Sequence, residues 1–261
     1  RDADERKILN VVEEIAIASG LPVPAVYLLE DAAINAFAAG FQPRDAVIGV
    51  TRGCIHNLSR DELQGVIAHE FSHVLNGDMR LNIRLMGWLY GIMVIGMIGY
   101  FLLRSSMYSR GGRGSRSGRD NRAGIITLGA GLAVIGYSGT FFGNLIKAAV
   151  SRQREFLADA SAVQFTRNPD GIGGALKKIG GFSAGSNITS SNTSEISHML
   201  FSHAASGGFS GWFATHPPLA ERIRRIDPHW DGELIFENSV QARPAAQPEG
   251  GALTAGIVAA V

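Results

Sequence analysis

Cysteine is almost absent from this 261-residue chain. Cys54 stands alone, so neither an intramolecular disulfide framework nor a cysteine-rich zinc finger can be built. Charge is scarce too: only 18% of residues are Asp, Glu, Lys or Arg, against about 25% in an average globular domain, while 46% are hydrophobic. That balance excludes a disordered polyelectrolyte. Lysine is confined to Lys7, Lys147, Lys177 and Lys178, so arginine carries nearly all the basic charge. A formal net charge of +1 excludes a general electrostatic appetite for nucleic acid, and no nucleic-acid partner is expected. No signal-peptide pattern and no internal repeat is visible, and the chain starts at Arg1 without methionine, which suggests a piece of a longer protein. The mean hydropathy of +0.10 is high for a soluble domain, so apolar residues must be concentrated where water does not reach.

Two uncharged runs hold that excess. Leu85 to Leu103 would reach roughly 28 Å as a helix, nearly the ~30 Å of a bilayer core. Ala123 to Ile146 is richer in glycine and includes Tyr137, Ser138 and Thr140. Each contains a GxxxG spacing, Gly87 with Gly91 and Gly139 with Gly143, which would let two helices approach closely. A transmembrane helical hairpin over 85–146 is therefore expected in preference to two helices buried in a soluble core, which so small a domain could hardly cover. The intervening Arg104 to Arg122 holds six arginines and one acid, Asp120, in a Gly/Ser-rich context that predicts a flexible, solvated turn rather than an RNA or anionic-lipid site. Arg80, Arg84, Lys147, Arg152 and Arg154 flank the outer ends, so the positive-inside rule does not orient the hairpin. Residues 1–84 and 147–240 then form one domain interrupted by the hairpin, and the Ala/Pro/Gly-rich tail 241–261 is expected to be disordered.

Within that domain, Ile8, Val11, Ile15 and Ala18 mark a first helix that Gly20 and Pro22 end. Residues 25–29, 36–39 and 46–51 read as short strands between turn-prone segments. Ser59 and Glu62 form a capping box ahead of a long helix with Leu63, Val66, Ile67, Phe71 and Val74 on its apolar side. Residues 149–165 and 172–179 predict further helices, 183–194 a mobile loop, and 197–203 and 219–226 two short helical pieces. The fold class is α+β and mainly helical, with a small mixed sheet.

The chemistry lies in His69-Glu70-Phe71-Ser72-His73, inside the capped helix. A spacing of four puts both imidazoles on one face, a turn apart, so two nitrogens can meet one Zn²⁺. Glu70 sits beside that face and can take a proton from a zinc-bound water without being a ligand. A catalytic site needs a third protein ligand, for which His198, His203, His216, an acid and Cys54 are the choices. Glu155 and Asp159 stand at i and i+4 on one face of a helix that otherwise turns apolar, a costly pair unless it has a cation or a buried partner. Glu155 as ligand and Asp159 as acceptor for a zinc-bound imidazole fit that need. Cys54 reads as a small buried residue, His198 and His203 as structural or surface residues, and His56 as a loop residue. Arg222 is expected to anchor its short helix to an acid such as Asp78.

The order Asn35-Ala-Phe-Ala, HEFSH with Asn76-Gly-Asp78, two apolar helices, SRQREFLADA, then Thr215-His-Pro-Pro-Leu-Ala-Glu-Arg222-Ile resembles the HtpX-type membrane zinc metalloproteases, relatives of the CAAX prenyl endopeptidases. The match spans residues 5–228. The resemblance implies a zincin-like gluzincin fold with one Zn²⁺ per chain on His69, His73 and Glu155, Glu70 as catalytic base, and Asp159 and Asp78 supporting the ligands. It also implies that Asn35, Ala36, Phe37 and Ala38 form the edge strand that pairs with substrate, and that His216 lies near the scissile carbonyl. The expected activity is zinc-dependent endoproteolysis of unfolded or membrane-derived polypeptides in membrane protein quality control. The expected place is the cell's inner or plasma membrane, with the lipid bilayer as partner and the active site on the cytoplasmic side. The alternative is a membrane-anchored, chaperone-like module or inactive protease whose zinc is structural.

Overall fold

Asp2 begins the chain's first helix by receiving the Ala3 N–H at 2.6 Å, with Glu5 returning to the Asp2 N–H to complete a capping box. Helix α1 (Ala3–Ser19) buries Ile8, Val11, Val12 and Ile15 and stops at Gly20, whose φ of 73° is left-handed. The computed structural model describes residues 2–108, 116–181, 216–235 and 256–258, and these divide into two compact units, 1–80 with 151–261 and 81–150.

In the first unit the chain lays down β1 (Ala25–Leu29), β2 (Ala36–Ala39) and β3 (Val47–Thr51), close to the expected strands. β3 lies between them, parallel to β1 and antiparallel to β2, which makes the small sheet mixed. Gly49 permits this pairing, because a Cβ there would collide with the ring of Phe37 directly opposite on β2. The far side of β1 takes an antiparallel strand, β4 (Gly256–Val258), giving the order β2-β3-β1-β4 with β2 at an edge. In this the structure departs from the tail expected to be disordered over 241–261. The Gly-Ile-Val segment meets backbone donors and acceptors that β1 would otherwise leave unpaired; the rest of the tail is outside the described residues.

Thr51 turns the sheet into helix by accepting the Cys54 N–H, starting α2 (Arg52–Asn57). His56 therefore sits in the last turn of a helix and not in a loop as expected; its ring lies 2.6 Å from Asp4. The Ser59–Glu62 capping box opens α3 (Arg60–Asn76), whose Leu63, Val66, Ile67 and Phe71 join the core between sheet and helices. Gly65 lets α3 touch the backbone of the helix that crosses it, α6 (Pro169–Gly181), at Ile172. Gly77, at φ 67°, ends α3 and starts the next helix at Asp78 without a linker.

That helix is α4 (Asp78–Tyr108), and α5 (Arg116–Thr166) returns. The expected break between the second apolar run and the helix at 149–165 does not occur. No proline interrupts the chain between Pro43 and Pro169, so α5 continues without a stop. The expected loop 104–122 is helical to Tyr108 and from Arg116, and residues 109–115 lie outside the described ones. The described residues of the second unit belong to α4 and α5, and both helices are long and apolar enough to cross a membrane. Trp88, Phe101 and Val134 are about 70% exposed, as lipid-facing side chains would be. The helices meet backbone to backbone at Gly96 with Gly136 and at Gly99 with Gly129 and Ala133. The GxxxG pairs singled out in the sequence play lesser parts: Gly139 and Gly143 receive Ile92 and Leu89, and Gly87 and Gly91 face open space.

A short helix, α7 (Leu219–Ile226), completes the first unit with Ile223 in the core. The pieces expected over 183–194 and 197–203, with His198 and His203, lie outside the described residues.

Candidate metal centre

Helix α3 delivers His69, Glu70 and His73 to one buried point, and the last turns of α5 deliver Glu155 and Asp159 beside it. His69 Nε2 and His73 Nε2 face each other at 3.1 Å. The Glu155 carboxylate closes a triangle, with oxygens 3.6 Å from His69 Nε2 and 3.5 Å from His73 Nε2. Of the candidates for a third ligand, Glu155 lies beside the two imidazoles and could hold a metal ion with them, while Cys54 is buried elsewhere in the core.

The tautomers are fixed from behind. Asp159 Oδ1 lies 2.9 Å from His69 Nδ1, and Asp78 Oδ2 lies 2.8 Å from His73 Nδ1. A carboxylate can only accept, so each Nδ1 carries the proton and each Nε2 turns a lone pair toward the other. Two imidazole nitrogens and a carboxylate converging in a site of 1% to 18% side-chain exposure could hold a metal ion between them. Ligands on a small tetrahedral ion at about 2.0–2.1 Å stand roughly 3.3 Å apart, which matches the observed separations. The charges agree. Glu70, Glu155 and Asp159 are buried against one buried guanidinium, Arg222, so a divalent cation would balance them.

The electrostatics of the site are those of a cation-binding pocket. Burial disfavours a charged His69, yet hydrogen bonds to Asp159 and Glu155 outweigh it and raise the imidazole to about 9, so these carboxylates favour positive charge at this point. Burial opposes ionisation of Glu155 as well, but His216, His69 and Arg222 hold it well below the usual carboxylate range. Asp159 is lowered against its own burial, first by Arg222. Glu70 behaves differently: desolvation raises it, partly offset by His73, His69 and a hydrogen bond from the Ala38 N–H of β2. A buried carboxyl with raised proton affinity, next to the ligands but not among them, suits a base.

His216 precedes α7 and sets Nδ1 3.1 Å from Glu155 Oε2, at the rim with 15% of its side chain exposed. Neither ring nitrogen has a well-aligned hydrogen-bond partner among the described residues. Asn35 is buried at the start of β2, with its N–H on Thr51 Oγ1 and its carbonyl on the Thr51 N–H.

Arg222 does not pair with Asp78 as expected. It donates to Asp159 through Nε at 2.8 Å and Nη2 at 2.6 Å, and its Nη1 lies 3.3 Å from Glu155. Asp78 is instead paired with Arg154 at 2.9 Å, and its other oxygen lies against His73. Sequence reasoning gave Arg154 no role, and nothing local marks it. Arg222 did carry a signal: on α7 it shares a helical face with Leu219, Ile223 and Ile226, where a charge is out of place without a buried partner.

A helix-borne HExxH pair completed by a glutamate from a later helix, each imidazole backed by a carboxylate, defines the metallopeptidase class to which fold and site belong. Residues 2–229 match the description "Peptidase family M48", and the chain belongs to that family. Its relatives include the Protease HtpX homolog of Dictyoglomus thermophilum, 41% identical over 220 residues that cover 84% of this chain and 68% of that protein. The Protease HtpX homolog of Bacteroides fragilis is 36% identical over 231 residues, covering 86% of this chain and 69% of its own. Among solved structures, the crystal structure of S. mikatae Ste24p aligns with a TM-score of 0.47 at 17% identity, over 87% of this chain and 50% of that one.

Proposed function

We propose that this chain is a zinc-dependent metalloendopeptidase of the HExxH type that cleaves unfolded or membrane-derived polypeptides at the membrane, in protein quality control. The observation that carries the reading is the convergence of His69 Nε2, His73 Nε2 and the Glu155 carboxylate on one buried point that carries excess negative charge. One Zn²⁺ held by these three would polarise a peptide carbonyl and acidify a bound water.

The chain's own residues supply the rest. Glu70 receives the water's proton: its burial favours the neutral acid, and the Ala38 N–H fixes the carboxylate. The same group can pass that proton to the leaving amine. His216 keeps Nδ1 3.1 Å from Glu155 Oε2 and has no hydrogen-bond partner for Nε2 among the described residues, which supports a role for that nitrogen as donor to the oxyanion that develops on the carbonyl.

β2 supports an extended substrate. Asn35 turns its backbone groups toward β3, so by the two-residue period Ala36 and Ala38 direct theirs to the edge that no described strand covers, while Phe37 is directed like Asn35; the Ala38 N–H donates to Glu70 there, and a peptide would pair through the Ala36 groups and the Ala38 carbonyl. A peptide pairing there would be held through its main chain, giving low sequence specificity. The two apolar helices support a seat in the lipid bilayer of the inner or plasma membrane, and we place the active site on the cytoplasmic side.

The test is turnover of casein and of an unfolded membrane protein by the wild type and Glu70→Gln, with and without chelator. Chelator-sensitive cleavage by the wild type alone supports the reading. Zinc uptake with no cleavage by either protein would favour a chaperone-like module with structural zinc.

A further inference from the structure

Arg222 is the largest fully buried side chain in the described residues, with 1% exposure, and no step of the proposed chemistry uses it. A guanidinium this deep is costly unless its donors are spent on anions. They are. Nε and Nη2 form a fork on both oxygens of Asp159, and Nη1 reaches Glu155 Oε2 at 3.3 Å. One side chain therefore spans two carboxylates that stand a turn apart on α5.

The consequences fall on the ligands themselves. The fork fixes the plane of Asp159, whose Oδ1 also lies 2.9 Å from His69 Nδ1, and Arg222 Nη2 itself lies 3.4 Å from that nitrogen, so the guanidinium bears on the imidazole's orientation chiefly through the shorter contacts of Asp159. The ion-pair contact at 3.3 Å draws Glu155 Oε2, which His216 Nδ1 also approaches to 3.1 Å, toward the guanidinium, and leaves the other oxygen as the one lying 3.5 Å from His73 Nε2. Without Arg222, Asp159 loses the fork that fixes it and Glu155 loses a cationic contact. α7 carries Arg222 six residues after His216, and Ile223 packs that helix into the core, so the same anchor also locates His216.

We infer that Arg222 is a positioning residue of the metal centre, orienting Glu155 directly and His69 through Asp159. This rests on the metallopeptidase reading above. A lysine cannot replace it, because a point charge on a flexible stem does not hold two carboxylates in one plane.

The test uses the full chain in detergent or nanodiscs, with zinc affinity read by chelator competition and ligand geometry by the absorption spectrum of the cobalt(II)-loaded protein. Arg222→Lys and Arg222→Gln are expected to weaken zinc binding by about tenfold to a hundredfold and to alter the cobalt spectrum. Glu221→Gln, at an exposed position on the same helix, is expected to change neither. Folded Arg222→Lys with wild-type affinity and spectrum would overturn the inference and leave the metallopeptidase reading standing. A wild-type chain that takes up no metal would overturn both. If the single variants do not fold, Asp159→Asn is compared with the Asp159→Asn/Arg222→Gln double variant. A further tenfold loss of affinity in the double variant supports the direct hold on Glu155, and equal affinities overturn it.

Discussion

His73 Nδ1 lies 2.8 Å from Oδ2 of Asp78, and that aspartate is the first residue of the helix that enters the apolar unit. Gly77 makes the pairing possible: its left-handed turn brings Asp78 back to the imidazole five residues earlier, and Arg154 holds the other carboxylate oxygen at 2.9 Å. Asp78→Ala removes the acceptor and leaves Arg154 without it. Metal affinity measured by chelator competition is expected to fall by about tenfold to a hundredfold. Gly77→Ala places an ordinary residue at φ 67° and is expected to cost about 1 kcal/mol of stability, read by denaturant unfolding.

Glu70 and Glu155 should separate cleanly. Glu70→Gln keeps the ligands and the contact with β2 but cannot accept a proton. Peptide turnover is expected to fall by about 10² to 10⁴, with zinc stoichiometry unchanged by elemental analysis. Glu155→Ala removes the only carboxylate that closes the triangle with His69 and His73 among the described residues, and the expected result is loss of bound metal at micromolar zinc.

Gly65 tests how far the site depends on helix packing. A Cβ there would stand 2.5 Å from the backbone nitrogen of Ile172 and 2.9 Å from the Gly171 carbonyl carbon, so α3 and α6 must separate. Gly65→Ala is expected to destabilise the chain by about 1–3 kcal/mol. Because α3 carries both histidines, metal affinity should fall as well, which parallel thermal and metal titrations would show.

Cys54 offers a probe of unfolding. It is wholly buried on α2, and desolvation pushes its thiol up to about 12, so almost no thiolate exists at neutral pH and no reagent reaches it. Native protein should resist alkylation for hours and react within minutes in denaturant, as mass spectrometry of time points would record. Rapid labelling of the native chain would contradict this placement of the helix.

Much of this was legible in the sequence because its causes are local. Ser59 with Glu62 starts a helix by bonding its own first turn, and a spacing of four puts His69 and His73 on one face of that helix whatever surrounds it. Glu155 and Asp159 stood out for a related reason, two acids on one face of an otherwise apolar helix. The apolar runs were equally plain, although which glycines would touch was not: Gly96 with Gly136 and Gly99 with Gly129 meet because of how two helices cross, and a one-dimensional spacing rule does not contain that crossing.

The sequence by itself thus marked α1, α3, α6 and α7, the two apolar runs and the candidate donor residues, since capping, periodicity and ligand chemistry act within a few residues, while α2 and the unbroken course of α5 were not legible in it. Only the tertiary structure decided the partners. Arg222 chose Asp159 and Glu155 over Asp78, Arg154 took Asp78, and the Ala38 N–H met Glu70. Charged groups pair by distance in space, and burial makes an unpaired charge costly to leave inside. Those distances follow from packing α3, α5 and α7 around one core, which no local pattern in the chain records.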